Sequence, residues 1–223
     1  MTAQGSQMHE QETYTAKDVE ACFTRSDGAY VFARWGRAIA PVIFGVDEAT
    51  LRVFKGACEA VVSLAGHKMA EVDPEIGANL MVFFCSDWSE LTEVPHLERL
   101  VPDLVPLVER LKSADANQYR IFRFDDDGGI KACFVFLRMD EVLADTPADT
   151  IALSQMAQVI VLWSDQALVG SSPLAIVPDG GVILKPQVGQ LIRAAYDPLL
   201  PAAARDPSHA LRLFARLTAA GQV

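Results

Sequence analysis

The chain is 223 residues long, 51% hydrophobic and 22% charged, a mixture that fills one large core and excludes intrinsic disorder outside a Gln-, Glu- and Thr-rich leading stretch from Met1 to Thr15. Its 29 acidic residues against 19 Lys and Arg give a net charge of −10, and the basic residues are scattered rather than gathered into a stripe, which argues against nucleic acid and anionic membrane surfaces as partners. No run approaches the roughly 18 apolar residues of a spanning helix, and no basic segment followed by an apolar one opens the chain. The expectation is a cytoplasmic protein with a flexible arm over 1–15 and a single α/β domain over 16–223.

Residues 29–35 and 39–44 are rich in β-branched and aromatic side chains and are separated by Gly36-Arg37-Ala38, a pattern that predicts a hairpin or two linked edge strands. Pro41 favours an edge position, because proline cannot donate to a ladder. Asp47 then precedes a helical spacing of apolar residues at 51, 54, 58, 61, 62 and 65, with Gly66 as the stop and His67 placed to cap the last carbonyls. Residues 79–85 form a continuous apolar run of the kind found inside a sheet, closed by Ser86-Asp87. Residues 96–112 have helical period, but Pro102 and Pro106 predict a break or two short helices.

The alternating run 118–124 and the apolar run 130–137 flank Asp125-Asp126-Asp127-Gly128-Gly129 and predict a β-hairpin. Residues 150–163 are apolar around the whole circumference, which predicts a helix buried on several sides. Lys185-Pro186 begins another helix, and Ser208 is read as the cap of a last one ending near Gly221. The predicted fold class is therefore α/β (α+β): one mixed or antiparallel sheet packed against several helices.

Few constellations carry chemistry. The triple aspartate at 125–127 lacks the alternate spacing and following Glu of a calcium loop and reads as a solvated turn. His9, His67, His96 and His209 never stand at ligand spacing from another His, Cys or acid. Ser63, Ser154 and Ser164 lack a nucleophile-elbow turn, and no phosphate-cradling glycine loop occurs. Cys22, Cys58, Cys85 and Cys133 are far apart, and three sit in apolar surroundings, so free, buried thiols are expected. Trp35, Trp88 and Trp163 with Phe83, Phe84, Phe122 and Phe124 read as core.

One resemblance spans about residues 30–217. It runs through Ala78-Asn79-Leu80-Met81-Val82-Phe83-Phe84, Gly129-Ile130-Lys131-Ala132, the loop Ser171-Ser172-Pro173-Leu174, and Leu184-Lys185-Pro186 through Leu191-Ile192-Arg193-Ala194-Ala195-Tyr196 to Asp197-Pro198. In that order the chain resembles a zincin-like set of proteobacterial proteins. The resemblance implies a zincin-like arrangement in which Ser154-Gln155-Met156-Ala157-Gln158 stands where active relatives carry H-E-x-x-H. Zinc hydrolysis needs two neutral imidazoles on the metal and a carboxylate to take a proton from the bound water. Ser154, Gln155 and Gln158 supply none of these, so a pseudoenzyme is implied, with no catalytic residue, metal or cofactor. The first functional expectation is accordingly a non-catalytic binding protein that takes a protein partner or a second copy, held in the old groove or on the edge strand 39–44. The second is a small-metabolite enzyme whose site is assembled from remote residues, with Asp87, Asp125, His67 and Arg123 as candidates.

Overall fold

Asp47 accepts a hydrogen bond from the Thr50 amide at 2.7 Å and so starts the longest helix of the computed structural model, which describes residues 13–178 and 180–220. In chain order the elements are α1 (Ala16–Ala21), β1 (Phe32–Ala33), β2 (Pro41–Phe44), α2 (Glu48–Leu64), β3 (Leu80–Cys85), a 3₁₀ helix (Trp88–Glu93), α3 (Leu97–Leu100), α4 (Leu104–Ser113), β4 (Gln118–Phe124) and β5 (Ile130–Arg138). They continue with α5 (Glu141–Ala144), α6 (Ala148–Val159), β6 (Leu174–Ile176), β7 (Val182–Leu184), α7 (Pro186–Ala195), β8 (Ala203–Ala204) and α8 (Ser208–Ala220). Of the expected arm, residues 1–12 lie outside the described residues. Thr15 already caps α1, exchanging hydrogen bonds with Asp18.

The central sheet has the order β2-β3-β5-β4, with β2, β3 and β5 parallel and β4 antiparallel to β5. Its interior strands are apolar on both faces because both faces are covered. Leu80 and Val82 of β3 and Cys133, Val135 and Leu137 of β5 belong to the larger core, which also takes in residues of α1, α2, α6, α7 and α8. Phe83, Cys85, Ala132, Phe134 and Phe136 point the other way, into a second core closed by the 3₁₀ helix, α3 and α4. The result is one compact α/β domain with a mixed sheet between helical layers. No helix of the described residues is long and apolar enough to cross a membrane.

Several expected elements appear with corrected neighbours. Residues 29–35 and 39–44 do not form a hairpin: β1 pairs with β8 in a separate two-stranded sheet, and β2 pairs in parallel with β3. Both runs have strand composition, and only long-range pairing decides between these arrangements. Pro41 does lie on an edge strand. Two short helices, α3 and α4, fill 96–112 with Pro102 between them, while Pro106 sits in the first turn of α4, where no intrahelical donor is lost. Gly66, at φ 66°, ends α2 as expected, but His67 caps with its backbone: Gly66 N donates to Ser63 O and His67 N to Val62 O, a Schellman motif. The imidazole itself reaches Arg37 O at 2.8 Å. Ser208 is not the cap of α8; Asp206 accepts from the Ser208 amide instead, at 2.8 Å. Gly221, where that helix was expected to end, lies outside the described residues.

The helix expected over 150–163 is shorter and shifted, running from Ala148 to Val159. Its final turn is buried, so its orphan carbonyls need donors, and aromatic side chains supply them. Trp163 Nε1 donates to Ala157 O and Trp35 Nε1 to Val159 O, each at 2.8 Å, while Tyr196 Oη donates to Ile160 O at 2.7 Å. These three bonds let the chain leave the helix and turn extended, where Val161 bridges to Arg34. The Tyr196 hydroxyl also accepts from Trp35 N at 3.3 Å, so Tyr196→Phe keeps the ring but leaves two buried backbone groups unsatisfied and is expected to cost about 2–6 kcal/mol, about 1–3 for each. Chemical denaturation of the two proteins measures it.

All four cysteines are free and buried. Burial pushes the thiols up, to about 11 at Cys22 and about 12 at Cys58 and Cys85, and Cys133 shifts in the same direction. A thiol reagent should therefore label Cys58, Cys85 and Cys133 only after unfolding. Rapid labelling of all three in the native protein would overturn their burial.

Candidate functional site

Gln155 is the one polar side chain of α6 that is fully buried, at 2% exposure. A buried amide needs partners, and strand β4 provides them. Arg120 Nη2 donates to Gln155 Oε1 at 2.7 Å and to Gln118 Oε1 at 3.0 Å, while Gln155 Nε2 donates to Gln118 Oε1 at 2.9 Å. Gln118 and Arg120 share a strand face because alternate residues of a strand do. Gln155 meets them because α6 lies beneath that face.

The guanidinium is therefore held entirely by neutral oxygens. No acid among the described residues lies within ion-pair distance of Arg120. Burial pulls its pKa below the ordinary arginine value, the signature of a cation desolvated without a counter-charge. Its Nε is buried and makes no hydrogen bond.

Arg120 lines a cleft of about 360 Å³ together with Gln118, Phe122, Gln158, Trp163 and Leu168. The cleft's acid, Asp165, is occupied elsewhere, accepting from the backbone amide and hydroxyl of Ser26. Ser154 and Gln158, expected beside Gln155 at the degenerate motif, pair with one another: Gln158 Nε2 donates to Ser154 Oγ at 3.0 Å. Thus Gln155 faces the sheet, Gln158 lines the cleft, and the three motif positions do not converge on one point.

A second cleft, of about 300 Å³, lies on the opposite face of β4 and is lined by Pro102, Pro106, Leu107, Arg110, Tyr119 and Arg123. Here too the arginines bind neutral groups. Arg110 Nη2 donates to Tyr119 Oη at 3.1 Å with its guanidinium over the Tyr119 ring, and Arg123 Nη2 donates to Leu100 O at 3.3 Å.

Strand β4 itself ends the sheet. Arg138 N donates to Asn117 O at 2.9 Å, so the hydrogen-bonding groups of 117, 119, 121 and 123 turn toward β5 and those of Gln118, Arg120 and Phe122 turn outward. Among the described residues nothing pairs with these outward groups. The other edge, at β2, is shorter and begins with a proline, and the chain just before it is covered, Ile39 N donating to Lys68 O. The expected edge at 39–44 is present as β2, and β4 is the longer of the two edges.

The four residues expected to converge do not. His67 binds Arg37 O, Asp87 caps the 3₁₀ helix, Asp125 accepts from Gly129 N at 2.8 Å inside the hairpin turn, and Arg123 reaches Leu100; no hydrogen bond or ion pair joins any two of them. Among the described residues no group of three or more His, Cys, Asp or Glu is placed to hold a metal ion. Arg120 was missed because 118–124 reads as an ordinary alternating strand. The available signal was Gln155, one of two amides, with Gln158, in a stretch that is otherwise mostly apolar around its circumference.

No family model matches the chain, and neither a curated protein nor a solved structure matches it.

Proposed function

We propose that this is a non-catalytic cytoplasmic binding protein that takes an extended segment of a protein partner onto the β4 edge. The observation that carries this reading is the open run of outward backbone groups at Gln118, Arg120 and Phe122, flanked on each face by a cleft. Main-chain bonds to such an edge supply affinity, and pockets for alternate side chains supply selectivity. The reading also fits a pseudoenzyme of zincin-like ancestry, in which Ser154, Gln155 and Gln158 have replaced metal ligands and base and the groove beside β4 has kept a binding role.

The test uses peptides selected from a displayed library against the whole protein, followed by amide exchange. Bound peptide should slow exchange at Gln118, Arg120 and Phe122, and Phe122→Pro should abolish binding. That substitution removes an outward donor and leaves the β4–β5 ladder intact. Selected peptides that bind Phe122→Pro equally well, or that leave those three amides unprotected, overturn the proposal. So does a library that yields no binder.

The same reading predicts the metal content. Elemental analysis of the purified protein should show no stoichiometric zinc, since a side-chain amide is a feeble zinc ligand and no base stands beside it. About one zinc per chain would sink the pseudoenzyme interpretation.

A further inference from the structure

Three arginines, Arg120 and Arg123 on β4 and Arg110 on α4, gather beside one strand. The chain carries a net charge of −10, yet Arg110, Arg120 and Arg123, which line the two clefts beside this one strand, make no ion pair with any described acid. Each is oriented by a neutral acceptor: amide oxygens for Arg120, a phenol for Arg110, a backbone carbonyl for Arg123. Of the ten arginines outside these clefts, Arg37, Arg52, Arg138 and Arg216 are ion-paired and the other six are not. Arg37 meets Asp73 and Glu75, and Arg138 meets Asp115 and Asp140. A guanidinium that is fixed in direction but lacks a counter-charge is preorganised for a carboxylate from outside, because the cost of ordering the side chain is met before the ligand arrives.

The strand geometry places these charges with a definite period. Arg120 stands on the α6 face, and Arg123, joined by Arg110 from α4, stands on the α4 face. A strand laid along the β4 edge sends successive side chains to opposite faces. Two neighbouring residues of such a strand therefore address the two clefts in turn, one meeting Arg120 and the next meeting Arg123 and Arg110.

We infer that the segment bound at β4 is an acidic peptide, with carboxylates at two successive positions that enter the Arg120 cleft and the Arg110/Arg123 cleft. The inference rests on the strand-addition reading above and names the chemistry that this reading leaves open. The acids already present do not satisfy the arginines: Asp165 in the first cleft is held by Ser26, and Asp103 in the second forms no ion pair.

The test uses three short, end-blocked peptides of alternating threonine and valine, identical except for a central pair of glutamates, glutamines or lysines. Titration calorimetry against the whole protein should give an affinity for the glutamate peptide about tenfold or more above that for the glutamine peptide, the size expected of a charge-assisted bond. The lysine peptide should be weaker than both, and added salt should narrow the gap. Gln155→Glu supplies Arg120 with an internal carboxylate at nearly unchanged shape, and Arg123→Gln removes an exposed charge. Each should lower the glutamate peptide's affinity several-fold and leave the glutamine peptide's unchanged.

Equal affinity for the glutamate and glutamine peptides, abolished for both by Phe122→Pro, overturns the acidic preference and leaves strand addition standing. A glutamate preference that survives Phe122→Pro shows carboxylates binding without strand addition and overturns the arrangement proposed here. Binding of none of the three peptides overturns it as well, and the library selection then decides separately whether the edge binds any strand.

Discussion

Ile160→Asp is expected to leave the protein unfolded. Ile160 follows the last turn of α6 and is 0% exposed, and its carbonyl receives the Tyr196 hydroxyl. The larger core surrounds it on the side away from the sheet's second face. An aspartate there must either bury a charge with no partner or fold with a raised pKa, and it also forfeits the isoleucine's packing. The first effect costs several kcal/mol and the second about 2–4 kcal/mol. Together these rival the 5–15 kcal/mol by which a whole domain is stable. Circular dichroism should show lost tertiary signal and no cooperative melting transition. Ile160→Val is the control, expected to lose only about 1 kcal/mol; an aspartate variant that melts like the control would mean the position is not buried.

Acid should weaken the fold well above the range in which carboxylates titrate. His209 on α8 is 2% exposed, packs against Phe32 and shares a 2.9 Å hydrogen bond between Nδ1 and the Tyr30 hydroxyl. Its Nε2 is buried without a partner. Burial, assisted by Arg212 and Arg34, pushes its pKa down to about 4, against about 6.5 in an unfolded chain. A depressed histidine pKa means that the unfolded state takes up the proton first. The stabilising contribution is therefore complete above about pH 6.5 and is lost as the pH falls toward 4. Between pH 7.5 and 5 this amounts to about 2 kcal/mol. His67 is shifted in the same direction by its own burial and adds to the slope with the same sign. Urea unfolding of the native protein and of His209→Gln at both pH values measures the difference. The variant should lose most of the pH dependence in this window, and an unchanged slope would show that His209 is not the group responsible.

Both predictions concern the layer that also positions the candidate site. Ile160 ends the helix that carries Gln155, and the aromatic donors Trp35, Trp163 and Tyr196 fix where that helix stops. The Arg120 cleft therefore depends on a buried polar and aromatic framework. Substitutions in that framework should change binding by moving α6 relative to β4 as well as by lowering stability.

Local chemistry alone determined a good part of this protein. Asp47 and Gly66 bound α2 because capping depends on neighbours within a few residues, and Pro102 separates α3 from α4 because proline's effect is confined to its own turn. The apolar runs of β3 and β5 announced a covered sheet interior, and the turn at 125–129 announced the β4–β5 hairpin. Tertiary structure decided the rest. Whether 29–35 pairs with 39–44 or with 203–204 is a choice between strands of similar composition, settled by what each buries. Residues 160–163 have the apolar character of a helix, yet the chain leaves the helix after Ile160 because aromatic side chains from positions 35, 163 and 196 take the carbonyls that another helical turn would have used. The candidate site was least legible of all. Arg120 and Gln155 are 35 positions apart, and only the packing of α6 under β4 turns an ordinary strand arginine and an ordinary helix glutamine into an oriented, uncompensated charge beside an open sheet edge.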